Sequence, residues 1–426
     1  MLSKLMTNTA FDMPSSLNNL YRFKGLFSKP IFCVFLLGGF YSSLVLAEKS
    51  QSYSNYQDFK IHGFISQGII DVDGSDFVND SGDPSTELTE LGLNASYQLS
   101  NKLRLAGQMV YLDGGNRYAK GVRVDYALLD WSAYTSEAWQ ANLYLGRFKN
   151  NHWLYSSSRV VPFARPSIIL PQSVYFDGFR DIAVGSDGAA IKISHSNDDI
   201  GNFDFTLSYG KSTISEEQQD IIVGEGALGK TKQDYEIHAS LYRQPNFSPW
   251  RLGLSLLDSD FTYQEDEVFD FFVDSNFTFQ FYTVNALYEG EEWEFSGEIY
   301  QQRFVTDGFY YPNFYKDTTG QGYYGQIRYK IISDLIFLAR YEKFYLDDND
   351  KNGQKLEATT GIPYYFAFNN DITLGLSYDF TSTTQIRAEY HWVEGAGRLT
   401  PVVVPNPEIN SSEDWSMWAV QLMYWF

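Results

Sequence analysis

Hydrophobic and polar residues alternate along most of the chain after residue 58. Residues 103–111 are an example, with Leu103, Leu105, Met109 and Tyr111 on one face and Arg104, Ala106 and Gln108 on the other. The same period of two recurs at 323–331, 372–380 and 386–392. Such alternation predicts β-strands that have one apolar and one polar face. About sixteen segments of this kind, each about ten residues long, predict an all-β chain.

The predicted connections alternate between long loops and short turns. The long loops lie at 71–87, 113–121, 149–187, 210–234, 258–276, 303–319, 346–366 and 393–415. Together with the short turns between them, they fit sixteen antiparallel strands of a closed transmembrane barrel, with all long loops on one side. A soluble β-sandwich would explain the alternation of residues but not the regular order of loop lengths. Fourteen or eighteen strands also fit, because the middle strands are weakly delimited.

The last nine residues form the most specific strand pattern in the chain. In a strand, successive side chains point to opposite faces. One face would therefore carry the apolar and aromatic residues Trp418, Val420, Leu422, Tyr424 and Phe426. Aromatic residues also end several other apolar faces, as the interfacial girdle of a membrane barrel requires.

A last strand that ends on Phe in this pattern resembles the closing strand of Gram-negative outer-membrane β-barrels. The whole predicted barrel resembles the trimeric sixteen-stranded porins, and Gly146-Arg147 and the run from Arg165-Pro166 to Tyr175 are similar to porin segments. The resemblance implies a location in the outer membrane, contact with lipid and lipopolysaccharide, insertion by the barrel assembly machinery, and a homotrimer. It also implies that the third long loop folds into the lumen and narrows it.

The amino-terminal residues have the pattern of a secretory signal peptide. Arg22, Lys24 and Lys29 precede an apolar run at 30–46, and Ala47 follows it. We therefore expect cleavage of residues 1–47 and a mature barrel domain of 48–426, with Met13 as an alternative start of translation. The apolar run is shorter than the roughly 20 residues of a membrane-spanning helix. The single cysteine lies inside the run, so the mature domain would have neither a disulfide nor a thiolate metal site.

Composition narrows the range of functions. The formal net charge of −21 excludes the basic surface of a nucleic-acid-binding protein. Aromatic residues make up 17% of the chain and the mean hydropathy is −0.30, as expected when half of the side chains meet lipid and half meet water. A barrel of sixteen strands leaves an aqueous lumen unless a segment of the chain fills it. The sequence therefore predicts a passive channel for small hydrophilic solutes.

The predicted third loop, 149–187, is rich in arginine within an acidic protein. Its candidate constriction residues are Arg147, Lys149, Arg159, Arg165, Asp177, Arg180 and Asp181. The candidate residues of the lumen wall, on the polar register of their strands, are Arg104, Arg123, Lys192, Arg387 and Glu389. A charged side chain facing lipid would cost about 2–4 kcal/mol at the middle of the membrane, so we expect these charges to point inward.

Cations that line a narrow water path raise the local concentration of anions. This predicts a channel that prefers anionic or carboxylate-bearing solutes. In the alternative interpretation the arginines pair with Glu90, Asp125, Asp177 and Glu389 and only hold the loop in place.

A possible calcium site lies in the seventh long loop. Asp348, Asp350 and Asn352 occupy positions one, three and five of a calcium-loop pattern, with Gly353 at position six. Position twelve is Thr359 instead of the usual glutamate, so a solvated turn is the simpler interpretation. No other cofactor is expected.

Two further classes of function remain open. A barrel used for adhesion or as a phage or ligand receptor would suit the aromatic sixth loop, which contains Tyr310, Tyr311 and Phe314. An outer-membrane hydrolase would need a base within hydrogen-bond reach of a nucleophile. The five histidines are scattered over separate predicted strands and one loop, so we expect no enzymatic activity.

Overall fold

The computed structural model describes residues 59–80, 82–180, 185–266, 270–399, 403 and 406–426. The predicted signal peptide lies outside the described residues. Within them, sixteen strands form one closed antiparallel barrel in which each strand pairs with its neighbours in sequence and the last pairs with the first. The strands are β1 Phe59–Asp73, β2 Thr89–Ser100, β3 Leu103–Asp113, β4 Gly121–Thr135, β5 Trp139–Lys149, β6 Gly185–Asn197, β7 Gly201–Lys211, β8 Lys230–Gln244, β9 Trp250–Gln264, β10 Val273–Glu289, β11 Trp293–Phe309, β12 Tyr315–Ile332, β13 Leu335–Tyr345, β14 Phe368–Thr381, β15 Thr384–Glu394 and β16 Asp414–Trp425.

The helical elements are short and all lie in the long loops. The α-helices are α1 Glu216–Val223 and α2 Gln354–Thr360, and the 3₁₀ turns are Gly115–Arg117, Pro162–Ala164, Asp177–Phe179, Tyr364–Ala367 and Pro407–Ile409. No helix in the described part of the chain combines the length and the apolar character needed to cross a membrane.

The barrel wall has an apolar outer face and a polar inner face. In β3 the exposed side chains include Leu105 and Met109, whereas Gln108 between them is buried inside the barrel. In β10 Tyr282 and Val284 are exposed, and the buried Thr283 and Asn285 face inward. This arrangement directs apolar side chains toward lipid and polar side chains toward the interior of the barrel. The prediction of a sixteen-stranded all-β barrel is confirmed.

Two strand pairs extend farther than the sequence predicts. The connection between β9 and β10 shortens to 265–272, and that between β11 and β12 shortens to 310–314. In both cases cross-strand polar pairs continue the ladder beyond the apolar band. Thr278 Oγ1 donates to Asp260 at 2.7 Å, and Arg303 pairs with Asp317 at 2.7 Å. Apolar alternation could not reveal these extensions, because their stability comes from polar partners on the adjacent strand.

The barrel closes through the C-terminal strand, as predicted. In β16 Val420, Leu422, Tyr424 and Phe426 are exposed on the outer face, and Trp418 Nε1 donates to Asp71 of β1 at 2.9 Å. The backbone of Phe426 exchanges hydrogen bonds with Gly63 of β1 at 3.0 and 3.2 Å. A Cβ atom on Gly63 would lie 2.6 Å from the Phe426 ring, so the ring packs directly over this glycine.

This contact makes Gly63 a position where a side chain should impair closure of the barrel. We expect Gly63→Val to displace the Phe426 ring and to lower the yield of folded barrel. The yield is measured as the fraction of protein whose gel mobility changes on heating. Gly325→Val is the matched control, because a Cβ atom on that glycine in β12 meets nothing within 4 Å. Equal folded yields for the two variants would contradict the proposed importance of the contact.

Candidate functional site

The segment 150–180 follows β5 and lies across the lumen against several strands of the inner wall. Its middle part reaches β15, where the Glu389 carboxylate accepts hydrogen bonds from the backbone N–H of Ile168 at 2.5 Å and of Ile169 at 3.2 Å. A little farther along, Ser173 N–H donates to Glu342 of β13 at 2.6 Å. We call residues 150–180 the lumen segment.

The wall also holds the two ends of the lumen segment. Leu154 N–H donates to Glu298 of β11 at 3.1 Å, and the Tyr175 hydroxyl donates to the same carboxylate. Arg387 of β15 donates to the carbonyl oxygens of Pro162 at 3.0 Å and Arg165 at 2.7 Å. These contacts satisfy backbone groups of an irregular chain that is shielded from water.

Four arginines meet two carboxylates in the centre of the site. Arg165 binds both oxygens of Glu90, at 2.8 and 2.5 Å, and Arg180 binds the same carboxylate at 3.1 Å. Arg159 pairs with Asp177 at 3.1 Å, and Arg117 lies 3.7 Å from the second oxygen of Asp177. All six side chains are buried. We call this group the arginine cluster; its guanidinium groups outnumber its carboxylates.

A wide vestibule at the long-loop end leads to the arginine cluster. The vestibule has a volume of about 760 Å³, and Arg117 and Asp177 lie at its inner end. The void inside the arginine cluster measures only about 10 Å³. A single water molecule needs roughly that volume or more. The arginine cluster is therefore closely packed where it borders the vestibule.

The outer rim of the vestibule is acidic. Asp76, Asp80, Asp220, Glu225 and Glu408 line it. Burial, and then the nearby Asp80 carboxylate, raises the pKa of Asp76 above its usual value. Burial, and then three neighbouring glutamates, raises the pKa of Asp220 in the same direction. Negative charge is therefore concentrated at the rim, and positive charge lies below it.

The structure separates the predicted constriction residues into two groups. Arg159, Arg165, Asp177 and Arg180 come together in the arginine cluster, whereas Asp181 lies outside the described residues. Lys149 pairs with Asp125 at the end of β5 and also donates to the Ser157 carbonyl oxygen at 2.9 Å.

Arg147 does not join the arginine cluster, although it lines a neighbouring cavity together with Arg180. Its place in the constriction stays a prediction. It shares the outward register of β5 with Leu143 and Leu145 and forms an ion pair with Asp187 at 2.7 Å. Arg147 precedes the predicted loop 149–187 and belongs to β5 in the structure, where alternation sets the direction of its side chain.

The predicted wall residues have different environments. Arg387 and Glu389 are buried and hold the lumen segment. Arg104 pairs with the inward-facing Asp130 at 2.8 Å and is half exposed. Lys192 lies 4.7 Å from the centre of the Tyr144 ring, and Arg123 donates to the Ala119 carbonyl oxygen.

Sequence reasoning missed several residues that shape the site. Arg117 was assigned to a loop without a role, and Glu298, Arg340 and Glu342 were not selected as site residues. Arg340 donates to Ser167 Oγ at 3.1 Å and to the Ile169 carbonyl oxygen at 3.0 Å. The available signal was their inward register on β11 and β13, because a charged residue in that register needs a partner inside the barrel.

The predicted calcium loop has another role in the structure. Both oxygens of Asp350 accept backbone N–H groups at the start of α2, from Lys355 at 3.1 Å and Leu356 at 2.7 Å. The nitrogen of Lys351 lies 3.9 Å from Asp348, and Asn352 accepts the N–H of Gln354 at 3.4 Å. Among the described residues, no group of three or more His, Cys, Asp or Glu side chains is arranged to hold a metal ion. Calcium binding stays a prediction.

The arginine cluster predicts a large effect of removing Glu90. Glu90→Gln leaves Arg165 and Arg180 without their buried counter-ion, and breaking such a pair costs about 3–5 kcal/mol. We expect a lower midpoint temperature for the heat-induced gel shift of the folded barrel. Asp317→Asn is the control, because its pair with Arg303 is exposed and screened by solvent and should contribute little to stability. Similar midpoints for the two variants would show that the cluster adds little to stability.

The fold is that of known outer-membrane channels. The structure resembles OmpT, an outer membrane protein of Vibrio cholerae, with 13% identity over 88% of this chain and 99% of that one and a TM-score of 0.54. It also resembles the outer membrane channel DcaP of Acinetobacter baumannii, with 13% identity, coverage of 87% and 97%, and a TM-score of 0.55. For an anion-selective porin from Comamonas acidovorans the identity is 12%, the coverage 87% and 100%, and the TM-score 0.53.

Searches by sequence give no match to a family model or to a curated protein. The likeness therefore lies in the architecture of the fold. The chain has the sixteen-stranded antiparallel barrel fold of Gram-negative outer-membrane porins.

Proposed function

We propose that the protein is an outer-membrane porin, a passive diffusion channel for small hydrophilic solutes that prefers anionic or carboxylate-bearing ones. The observation that carries this proposal is the arginine cluster beside the vestibule, where four guanidinium groups face two carboxylates. We infer that this cluster forms the constriction. Excess positive charge at a constriction favours anions over cations. The acidic rim above it does not oppose this preference strongly, because exposed charges are screened by salt over about 8–10 Å.

Two observations support a function without catalysis. The side chains of His152, His238 and His391 are fully buried in the inner wall or the lumen segment. His391 Nδ1 lies 2.8 Å from Asp371 and 3.1 Å from Thr373 Oγ1, so this ring is held within a wall network.

The small void within the arginine cluster favours a second candidate, a gated barrel that conducts only after the lumen segment moves or that serves as a surface receptor. Single-channel recordings separate the two candidates. Stable open steps without added ligand support the diffusion channel. A purified, folded barrel with no such steps supports the gated or receptor function.

The homotrimer, contact with lipopolysaccharide and insertion by the barrel assembly machinery stay predictions from the resemblance. The ion pair of Arg147 with Asp187 shares the outward register of β5 and supports contact with a neighbouring subunit at this position, because lipid offers these charges no partner. Chemical cross-linking of the unheated protein in detergent tests the trimer.

The proposed preference for anions predicts a change in reversal potential. In a planar bilayer under a salt gradient we expect the native channel to favour anions, and Arg117→Gln and Arg180→Gln each to lower the anion-to-cation permeability ratio. The effect should shrink at about 1 M salt, where the screening length falls to about 3 Å.

Arg243→Gln is the matched control for this measurement, because it removes the same charge near the short-turn end of β8, far from the arginine cluster. Its reversal potential should equal that of the native channel. Cation preference in the native channel, or equal shifts for all three variants, would refute the role of the arginine cluster.

A further inference from the structure

A second cavity lies beside the vestibule and differs from it in chemistry. It has a volume of about 460 Å³ and is bounded by the long-loop ends of β10–β13 and by parts of the sixth, seventh and eighth long loops. We call it the aromatic pocket and define it by Phe279, Phe304, Tyr310, Phe314, Phe344 and Arg398. Its volume is within the range of about 300–1,000 Å³ that is typical of small-molecule sites.

The walls of the aromatic pocket are unusually apolar for the inside of a membrane barrel, whose lumen is normally polar. The rings of Phe279 and Phe304 stack with their centres 4.5 Å apart. Phe179 of the lumen segment meets Phe279 edge to face at 5.2 Å, and Tyr310 meets Phe314 in the same way at 5.0 Å. Surfaces of this kind bind the faces and edges of other flat apolar groups.

Two observations show that these rings do not merely fill the core. A cavity remains between them, although protein interiors are normally packed without voids of this size. In addition, Tyr311 lines the pocket and is 58% exposed, so the aromatic surface continues to the solvent at the pocket mouth.

Arg398 supplies a positive charge at the wall that the aromatic pocket shares with the vestibule. It is 5% exposed, and its guanidinium carbon lies 3.6 Å from the centre of the Phe344 ring. Nη2 donates to the Ser173 carbonyl oxygen at 3.2 Å, whereas Nε is buried and has no hydrogen-bond partner in the structure.

Arg398 differs in this respect from the arginine cluster. Arg165 and Arg180 contact Glu90, but no carboxylate among the described residues forms an ion pair with Arg398. Burial without an opposing charge lowers its pKa to about 9. A buried guanidinium group in this state gains most from an anion that brings its own apolar body into the pocket.

We propose that the aromatic pocket binds small aromatic carboxylates, with the ring against the phenyl walls and the carboxylate against Arg398. The vestibule reaches Arg398 from its other side, so an anion in the vestibule and an anion in the pocket meet the same guanidinium group. This proposal names the class of solute that the barrel retains. It rests on the proposed function, because the solute reaches the pocket through the channel.

Equilibrium binding to the folded, detergent-solubilised full barrel tests the proposal. Benzoate is the probe, with acetate as the anion that lacks a ring and benzyl alcohol as the ring that lacks a charge. By isothermal titration calorimetry we expect saturable binding of benzoate, and binding of each of the other two that is weaker by about tenfold or more. Equal affinities for benzoate and acetate would overturn the assignment of the ring to the phenyl walls.

Two variants test the residues. Arg398→Met keeps the apolar contacts of the side-chain stem and should weaken benzoate binding by about tenfold or more. Tyr311→Ser changes an exposed side chain, so the barrel should fold normally and bind benzoate more weakly. Arg243→Met is the control, because it removes an arginine at the opposite end of the barrel and should leave benzoate affinity unchanged. Heat-dependent gel mobility verifies the folding of each variant.

The outcomes separate this inference from the proposed function. If the barrel conducts but benzoate affinity is the same in Arg398→Met and in the native protein, the pocket proposal is wrong and the channel stands. If benzoate binds and depends on Arg398 but no conductance appears, the pocket stands and the diffusion channel is wrong.

Discussion

The interior of the barrel is organised by one constraint. The backbone polar groups of the lumen segment are buried and must find hydrogen-bond partners there. The lumen segment has little regular secondary structure, so its backbone N–H and C=O groups find few partners within the segment itself. Carboxylates on the wall take that role. Glu298, Glu342 and Glu389, on three different strands, each accept at least one backbone N–H of the segment. Leaving such groups buried and unpaired would cost about 1–3 kcal/mol each.

The same constraint explains why charge inside the barrel occurs in both signs. The lumen segment is rich in arginine, and the wall supplies Glu90 to balance Arg165 and Arg180. The segment balances Arg159 itself, through Asp177. The arginines are therefore paired, and they still outnumber the carboxylates of the arginine cluster. A preference of the channel for anions stays a prediction. Arg398 is set apart from this balance and sits among aromatic rings.

The barrel itself follows from the sequence because its signal is repeated and local. Each strand shows apolar alternation, and a register error of one residue would turn all of its apolar side chains inward. The ends of β9–β12 could not be predicted in this way, because polar cross-strand pairs such as Arg303 with Asp317 continue the ladder. The members of the arginine cluster could be predicted in part, because Arg159, Arg165 and Arg180 lie in one arginine-rich loop of an acidic protein. Glu90 was among the partners that the sequence suggests, but its assignment to Arg165 and Arg180 and the approach of Arg117 to Asp177 depend on the fold, which brings together residues distant in sequence.

The anchoring of the lumen segment has a consequence for how the barrel is made. Ile168 and Ser173 find their acceptors on Glu389 and Glu342, which lie 221 and 169 residues later in the chain. During synthesis and export these N–H groups must therefore keep water as their partner until the last quarter of the polypeptide has arrived. Docking of the segment therefore follows the arrival of β13 and β15, so that the interior gains its final order late in the formation of the barrel.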